Sequence, residues 1–329
     1  MKRRKLAVIS LAALLGIAAA GLAIYTNYSV KASVPSLPDV LGTLPEDCQF
    51  VFGINVQKFT SSPAYARLRQ SQSQPVGKDM AEFIEKTGVD PARDVYYLVA
   101  AGRAKEKLKG EGVAVLTGQF QNDSIVAYIR SKTSPVELEY GGSQIFMFPE
   151  AGSDTVRKGI ALLNDREVAV GDLESLKAVL DVRSKGSRSV LNNPAMAPLL
   201  NSISSDEMLW FAADGAGAIA RAPAAIPLED NLTTIRSVVG TLDISEAVVG
   251  KITVSAVNED SAMKLAEVAR GFVALTQLGG NKNPDLMLLL DGLKVTQNAT
   301  QVILGINFPV DLLEKLQQAR RPPGQPAGN

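Results

Sequence analysis

Histidine is absent from this chain of 329 residues, and cysteine and tryptophan occur once each, as Cys48 and Trp210. Without histidine, the chain can form neither a His-ligated zinc site nor a Ser-His-Asp or Cys-His nucleophile system. One cysteine excludes an intramolecular disulfide and a zinc knuckle. We therefore expect no metal site, no bound cofactor and no catalytic residue. Cys48 lies just before an apolar run that begins at Phe50, so we predict a packed, unreactive thiol.

Basic residues are fewer than acidic residues in the body, although the whole chain is neutral, with 34 basic and 34 acidic residues. Seven of the cations lie in the two ends, which leaves 27 basic residues against 34 acidic ones and a body charge of about −7. A nucleic-acid partner would require a basic stripe on the body. We therefore expect no nucleic-acid partner, and the 46% of hydrophobic residues predicts a globular core.

The only long uncharged run near the start is LAVISLAALLGIAAAGLAIY, residues 6–25. At 1.5 Å per residue a helix of this length spans about 30 Å, the thickness of the bilayer hydrocarbon. Four cations within residues 1–5 indicate that the N-terminus stays in the cytoplasm. The pattern predicts a cytoplasmic tip at 1–5, a transmembrane anchor at 6–27, and a body in the periplasm, held at a bacterial inner membrane.

A cleaved signal peptide is the alternative, with processing after Ala32 and a secreted body. Signal peptides usually have about 7 to 15 apolar residues, so the longer run favours a retained anchor. Residues 28–46 contain three prolines and predict an extended tether. Residues 319–329, which include RRPPGQPAGN, predict a disordered tail.

The body contains the same order of predicted elements twice. In each copy a strand precedes a helix, and a second match lies further on, where REVAVG (166–171) and TQVILG (300–305) are 134 positions apart. Ser124 and Ser261, near the two helix starts, are 137 positions apart, and nearly equal offsets indicate an internal repeat. We predict two tandem α+β lobes, 47–200 and 201–318, each an antiparallel sheet with helices on one face. The strand and helix pairs are VAVLTGQF with QNDSIVAYIRS and KITVSAV with NEDSAMKLAEVARGFVALTQL.

One helix face is defined by apolar residues at steps of three and four. In the second-copy helix this stripe predicts burial against the sheet. Its members are Leu265, Val268, Phe272 and Leu275.

Two short patterns have the spacing of serine acyl-transfer enzymes. Ser261 and Lys264 form S-x-x-K, and Lys86-Thr87-Gly88 matches K-T-G. K-T-G precedes the serine here, and S-D-N is absent. We interpret Ser261 as a helix N-cap, like the equivalent Ser124, and Gly88 as a helix C-cap.

A glycine pattern and three carboxylate pairs are the remaining candidates. DGAGAIA (214–220) matches G-x-G-x-x-A, but Pro223 and Pro227 follow closely, so we predict a flexible turn and not a dinucleotide site. Adjacent carboxylates in a strand point to opposite faces, which favours solvated turns. The pairs are Glu46-Asp47, Asp206-Glu207 and Glu229-Asp230.

Several runs together resemble a group of uncharacterised bacterial proteins of the domain-of-unknown-function type. The resemblance covers most of residues 40–318 and implies an exported or membrane-anchored protein, with no functional residues to transfer. It is carried by Trp210 and by FVFGINVQKFTSSPAYARLR, EKTGVDPARDVYYLVAAG, TGQFQNDSIVAYIR and YGGSQIFMF.

The leading hypothesis is a membrane-anchored, extracytoplasmic, noncatalytic binding or structural protein of unknown ligand. The alternative is a carrier or chaperone for an apolar, lipid-like ligand held between sheet and helices. A third hypothesis is a hydrolase that uses carboxylates alone, since burial can shift their pKa values into a useful range.

Overall fold

A computed structural model describes residues 37–71, 78–103, 112–149, 156–215, 217, 232–280 and 284–312. Its centre is one antiparallel sheet of twelve strands, in the order β11-β12-β10-β9-β8-β1-β2-β3-β7-β6-β5-β4. The predicted α+β class and antiparallel pairing are confirmed. The strands are β1 Phe50–Asn55, β2 Val95–Gly102, β3 Gly112–Gly118, β4 Val136–Tyr140, β5 Ser143–Pro149, β6 Val156–Asn164, β7 Glu167–Gly171, β8 Leu209–Asp214, β9 Ile235–Ile244, β10 Ala247–Ala256, β11 Leu293–Asn298 and β12 Gln301–Pro309.

Helices connect and cover these strands. Two short 3₁₀ turns, Val190–Asn192 and Leu232–Thr234, supplement them. The helices are α1 Leu37–Leu41, α2 Val56–Thr60, α3 Pro63–Ser71, α4 Lys78–Thr87, α5 Pro91–Asp94, α6 Asn122–Lys132, α7 Leu173–Lys185, α8 Ala197–Asn201, α9 Glu259–Gly280 and α10 Pro284–Asp291.

The pairing of β1 with β8 makes the sheet continuous across residues 200 and 201. Gly53 lies opposite Trp210 in this pairing, and β1 pairs with β2 on its other side. The prediction of a separate sheet in each lobe is therefore wrong. Two separate sheets would each leave the backbone groups of a central apolar strand unpaired, which is costly at an exposed edge.

Both faces of the sheet carry helices in the first half, so the prediction of helices on one face is wrong for the first lobe. Ile145 of β5 packs in a core with Leu176 of α7, whereas its neighbour Phe146 packs with Ile125 of α6. Side chains alternate along a strand, so a strand that is apolar at successive positions needs cover on both sides. We call these sides the α7 face and the α6 face. The register across the sheet places α9 and α10 on the α6 face.

The largest core lies on the α7 face and extends into the predicted tether. Leu37, Val40, Leu41 and Leu44 are all at most 3% exposed and belong to this core. Residues 37–46 are therefore folded, which corrects the predicted tether of 28–46. The spacing of these four residues matches one face of a helical turn, and burial of that face outweighs the local effect of the prolines.

The apolar stripe of α9 extends beyond the core. Leu265 is 6% exposed, as predicted, but Phe272 is 54% exposed and Leu275 is 70% exposed. The prediction of burial is therefore wrong for Phe272 and Leu275. A helix of 22 residues is about 33 Å long, and the core beneath α9 covers its first turns only.

The predicted anchor, the rest of the tether and the predicted tail lie outside the described residues. Within the described ranges, no helix is both long enough and apolar enough to span a bilayer.

We predict that Gly53→Ala destabilises the fold. A Cβ atom at Gly53 would overlap the indole of Trp210, which is 1% exposed. Overpacking of this kind costs roughly 1–3 kcal/mol. Urea unfolding followed by the fluorescence of the single tryptophan measures the loss and shows the changed indole environment at the same time.

Gly271→Ala is the matched control, because a Cβ atom there meets nothing within 4 Å and the residue lies inside α9. It should stabilise the protein by roughly 0.5–1 kcal/mol. Equal effects of the two substitutions would contradict the proposed packing at Gly53.

Candidate functional site

Two adjoining cavities lie at one end of the central strands. Their volumes are about 750 Å³ and about 360 Å³, and they share Arg93, Asp94 and Gln119. Antiparallel pairing places the end of one strand beside the start of the next. For this reason the α2 segment after β1, the α5 segment before β2 and the residues after β3 all meet here.

The short helix α5 is built on two buried carboxylates. Asp90 is 6% exposed and Asp94 is 9% exposed. The backbone N–H of Ala92 donates to Oδ1 of Asp90 at 3.0 Å, and Pro91 occupies the first helical position. Oδ2 of Asp94 accepts from the backbone N–H of Asp90 at 2.7 Å. Burial raises the pKa of Asp90, and the bond from Ala92 opposes that rise.

Arg93 neutralises Asp94 within the cavity wall. Its Nε donates to Oδ1 of Asp94 at 2.8 Å, and its Nη2 donates to Oδ2 at 2.7 Å. This two-pronged geometry is the strongest that an arginine and a carboxylate can form. The bond to Asp94 raises the pKa of Arg93 further, so the guanidinium stays charged beside the carboxylate.

The other residues of the larger cavity are mostly uncharged and polar. Burial raises the pKa of Tyr65 to about 12, and burial also raises the pKa of Tyr96. Both phenols therefore keep their protons near neutral pH and can donate hydrogen bonds. The smaller cavity adds one acid and one base, Asp165 and Arg166. The remaining polar residues of the larger cavity are Gln57, Thr60, Ser61, Ser62 and Gln119.

Lys264 is engaged by a carboxylate. Its Nζ lies 2.7 Å from Asp260, and this bond raises the lysine pKa. A protonated lysine cannot act as the base for a serine. The S-x-x-K spacing therefore reflects helix periodicity.

The predicted N-cap at Ser261 is wrong. Oδ1 of Asn258 accepts from the backbone N–H of Ser261 at 2.8 Å, so Asn258 caps α9 and Ser261 is the third helical residue. Ser124 also stands third, in α6, where the N-cap is Gln121. Asparagine caps a helix as well as serine does. The cap at Asn258 accepts the N–H of Ser261, three residues further along the chain.

The predicted C-cap at Gly88 is confirmed. Its φ is +72°, and its N–H donates to Ile84 at 2.8 Å as α4 ends. A left-handed backbone here favours glycine. K-T-G is thus a helix end, although Gly88 also lines the smaller cavity.

The predicted turn after β8 is wrong, because residues 215 and 217 have helical backbone. Oδ1 of Asp214 accepts from the N–H of Gly217 at 2.7 Å. A carboxylate therefore occupies the helix start, where a dinucleotide site would need room for phosphate. Pro223 and Pro227, on which the turn prediction rested, lie outside the described residues.

The carboxylates of Glu46 and Asp47 bind different arginines. Glu46 lies 3.1 Å from Arg188, whereas Asp47 lies 2.6 Å from Arg103. Glu229 and Asp230 fall outside the described residues. Across the described ranges, no group of three or more Cys, Asp or Glu residues could hold a metal ion.

Cys48 is packed as predicted. It is 3% exposed, and burial raises the pKa of its thiol to about 12. A thiol with this pKa is not a nucleophile at neutral pH.

Asp90, Arg93 and Asp94 were not predicted as site residues. The run Val89-Asp90-Pro91 has the aspartate and proline of a helix start, so it could have indicated α5. It could not have indicated that Arg93 and Asp94 border a cavity, since that depends on helices distant in the sequence.

No family model and no curated protein matches this chain. The solved structures that are similar to it include two crystal forms of TP0453. Form I has a TM-score of 0.45 at 10% identity and covers 88% of this chain and 99% of that chain. Form IV has a TM-score of 0.48 at 10% identity and covers 87% and 98%. A likeness of this degree carries no functional inference, and the resemblance to uncharacterised bacterial proteins stays a prediction.

We predict that Asp90→Asn keeps or increases stability at neutral pH, because the asparagine side chain would retain the capping oxygen and remove the buried charge. The raised pKa of Asp90 means that the folded state binds its proton more tightly than the unfolded state. The wild type therefore loses stability as pH rises from the ordinary carboxyl pKa of about 4 through the raised value. Asp90→Asn should lack this loss, as measured by urea unfolding at pH about 4 and about 7.

Asp90→Ala is the control for the cap and should cost about 1 kcal/mol relative to Asp90→Asn. If the two variants were equally stable, Asp90 would not act as the N-cap of α5.

Proposed function

We propose that this chain is a membrane-anchored, extracytoplasmic, noncatalytic binding protein, and that its larger cavity binds a small, polar, uncharged ligand. The observation that carries the proposal is the cavity of about 750 Å³ whose charged residues, Arg93 and Asp94, neutralise each other. Ligand sites in proteins are typically about 300–1,000 Å³ in volume.

The charge balance of the cavity favours a neutral ligand. Arg93 uses two of its nitrogens on Asp94, so an anionic ligand would have to compete with a carboxylate already in place. The hydroxyl group of Ser61 and the amide of Gln119 can both donate and accept hydrogen bonds, whereas the Thr60 hydroxyl donates to the carbonyl of Gln57 and can accept from a ligand. A ligand rich in hydroxyl or amide groups, such as a sugar, would complement them.

The bonding of the two buried carboxylates supports binding without catalysis. An acid or base needs an oxygen free to exchange a proton with a ligand. Asp90 lines neither cavity, and both oxygens of Asp94 receive bonds from Arg93. We interpret these carboxylates as the framework of α5, in preference to the carboxylate-only hydrolase.

The location is proposed from the sequence. Residues 6–25 would cross the inner membrane with the N-terminus in the cytoplasm, and the body would lie in the periplasm. Since α1 belongs to the core, the proposed tether shortens to residues 28–36. Secretion after cleavage near Ala32 is the alternative.

We also propose that the body consists of two tandem, similar lobes joined in one sheet. In the first half β2, β3 and β7 are neighbours, with α6 following β3. In the second half β9, β10 and β12 are neighbours, with α9 following β10. Strands β1 and β8 meet in the middle, and the hairpin of β4 and β5 would be an addition to the first lobe.

A carrier for an apolar ligand is the second candidate. The exposed side chains of Phe272 and Leu275 on α9 favour it, since a carrier needs apolar surface to receive its ligand. Native mass spectrometry of the protein purified without detergent tests it. Bound lipid of defined mass would support the carrier, and lipid-free protein would count against it.

We predict that Ala66→Phe abolishes ligand binding. Ala66 is exposed on α3 and borders the larger cavity, so a phenyl ring there would fill the space without entering the core. Saturation-transfer NMR with a panel of neutral disaccharides and polyols measures the binding.

Ala127→Phe is the matched control, because Ala127 is an exposed position of α6 that does not line the cavity. It should leave binding unchanged. Failure of every compound in the panel to bind, or equal binding by both variants, would contradict the proposed site.

A further inference from the structure

The second half of α9 and the following helix α10 expose apolar side chains to solvent. Phe272 and Leu275 are three residues apart in α9 and therefore neighbours on its surface. Leu288 of α10, which packs against α9, is 51% exposed. We call these three side chains the α9–α10 apolar surface.

Helix α10 is apolar around its whole circumference by sequence. Residues 286–290 read LMLLL, and five successive helical positions point in all directions around the axis. Leu290 is buried and Leu289 packs beside the cluster of Phe308, whereas Leu288 is exposed. A helix that is apolar all round is normally covered on all sides. The exposed side of α10 therefore indicates that another molecule covers it.

The α9–α10 apolar surface has no cationic residue that would attract an anionic partner. Residues 271–280 carry no charged residue, and α10 contains only the two acids Asp285 and Asp291. The body as a whole is acidic, at about −7. Apolar burial, and not attraction to an anionic partner, would drive the contact.

We propose that the α9–α10 apolar surface inserts into the outer part of the bilayer to which the chain is anchored. This inference rests on the proposed anchor. Between the apolar run at 6–25 and α1 at Leu37 there are eleven residues, which reach at most about 40 Å when fully extended. The body therefore stays within about one domain diameter of the membrane, at high effective concentration.

A bilayer fits this surface better than a second copy or another protein. A stable protein interface uses about 20 to 30 residues on each side, whereas this surface has three large exposed side chains in the described residues. A tethered domain needs few apolar contacts, because the anchor has already paid for most of the entropy of association.

The experiment uses the full-length chain reconstituted in phosphatidylcholine vesicles, with a cysteine introduced at one site and labelled with an environment-sensitive fluorophore. Cys48 is buried and its pKa is raised to about 12, so the unmutated chain serves as the labelling blank. The test sites are Leu275→Cys and Leu288→Cys. The control is Glu267→Cys, an exposed position on the same helix α9.

Nitroxide lipids should quench the labels at positions 275 and 288 several-fold more strongly than the label at 267, and iodide in the water should show the reverse order. Added phosphatidylglycerol or salt should leave this order unchanged. Leu275→Glu, combined with the label at 288, should reduce lipid quenching about tenfold, given the value of one buried leucine.

Any of the following results would overturn the inference. Equal iodide quenching at all three sites would show a free surface, and energy transfer between differently labelled copies without lipid quenching would assign the surface to a second copy. A chain that fails to float with the vesicles would remove the anchor and this inference together. A floating chain with labels open to iodide would remove this inference alone.

Discussion

The pairing of β1 with β8 is the contact on which the rest of the architecture depends. It joins the strands on either side of residue 200 into one sheet, and it places the indole of Trp210 on the bare backbone of Gly53. A single row of facing residues then runs across seven strands of the α7 face. From β8 toward the β4 edge, and ending at β5, this row is Trp210, Gly53, Val99, Val115, Ala169, Ala161 and Ile145.

In the second half of the sheet the residues of the same row are no longer apolar. Beyond Trp210 it continues through Thr241, Lys251, Gly305 and Lys294, which are polar or small. The α7 face is therefore a core under α1 and α7 in the first half and carries polar residues in the second. An antiparallel sheet can leave one face to water in this way. The apolar residues of the second half are instead concentrated on the α6 face, under α9 and α10.

The candidate site follows from the ends of the central strands. Because β1, β2 and β3 are antiparallel neighbours, α2, α5 and Gln119 are brought to one end of the sheet. Desolvation would make an isolated charge costly at this end of the sheet. Each buried carboxylate has a hydrogen-bond donor: Asp94 accepts from Arg93, and Asp90 accepts from the N–H of Ala92. The other polar groups of the larger cavity are hydroxyl, phenol and amide groups, which can form hydrogen bonds with a ligand.

The sequence by itself determined what depends on near neighbours. Its alternation predicted the strands and their antiparallel class, its glycine predicted the end of α4 at Gly88, and its lack of histidine excluded whole classes of site. Only the tertiary structure decided that β1 pairs with β8, that α1 is part of the core, that both faces carry helices, and that Phe272 and Leu275 are exposed. A periodic pattern indicates that a face is apolar. Which distant segment covers that face depends on the packing free energies of the whole chain. The meeting of Arg93, Asp94 and Gln119 at one cavity belongs to the same class, because no local spacing relates residues that a sheet brings together.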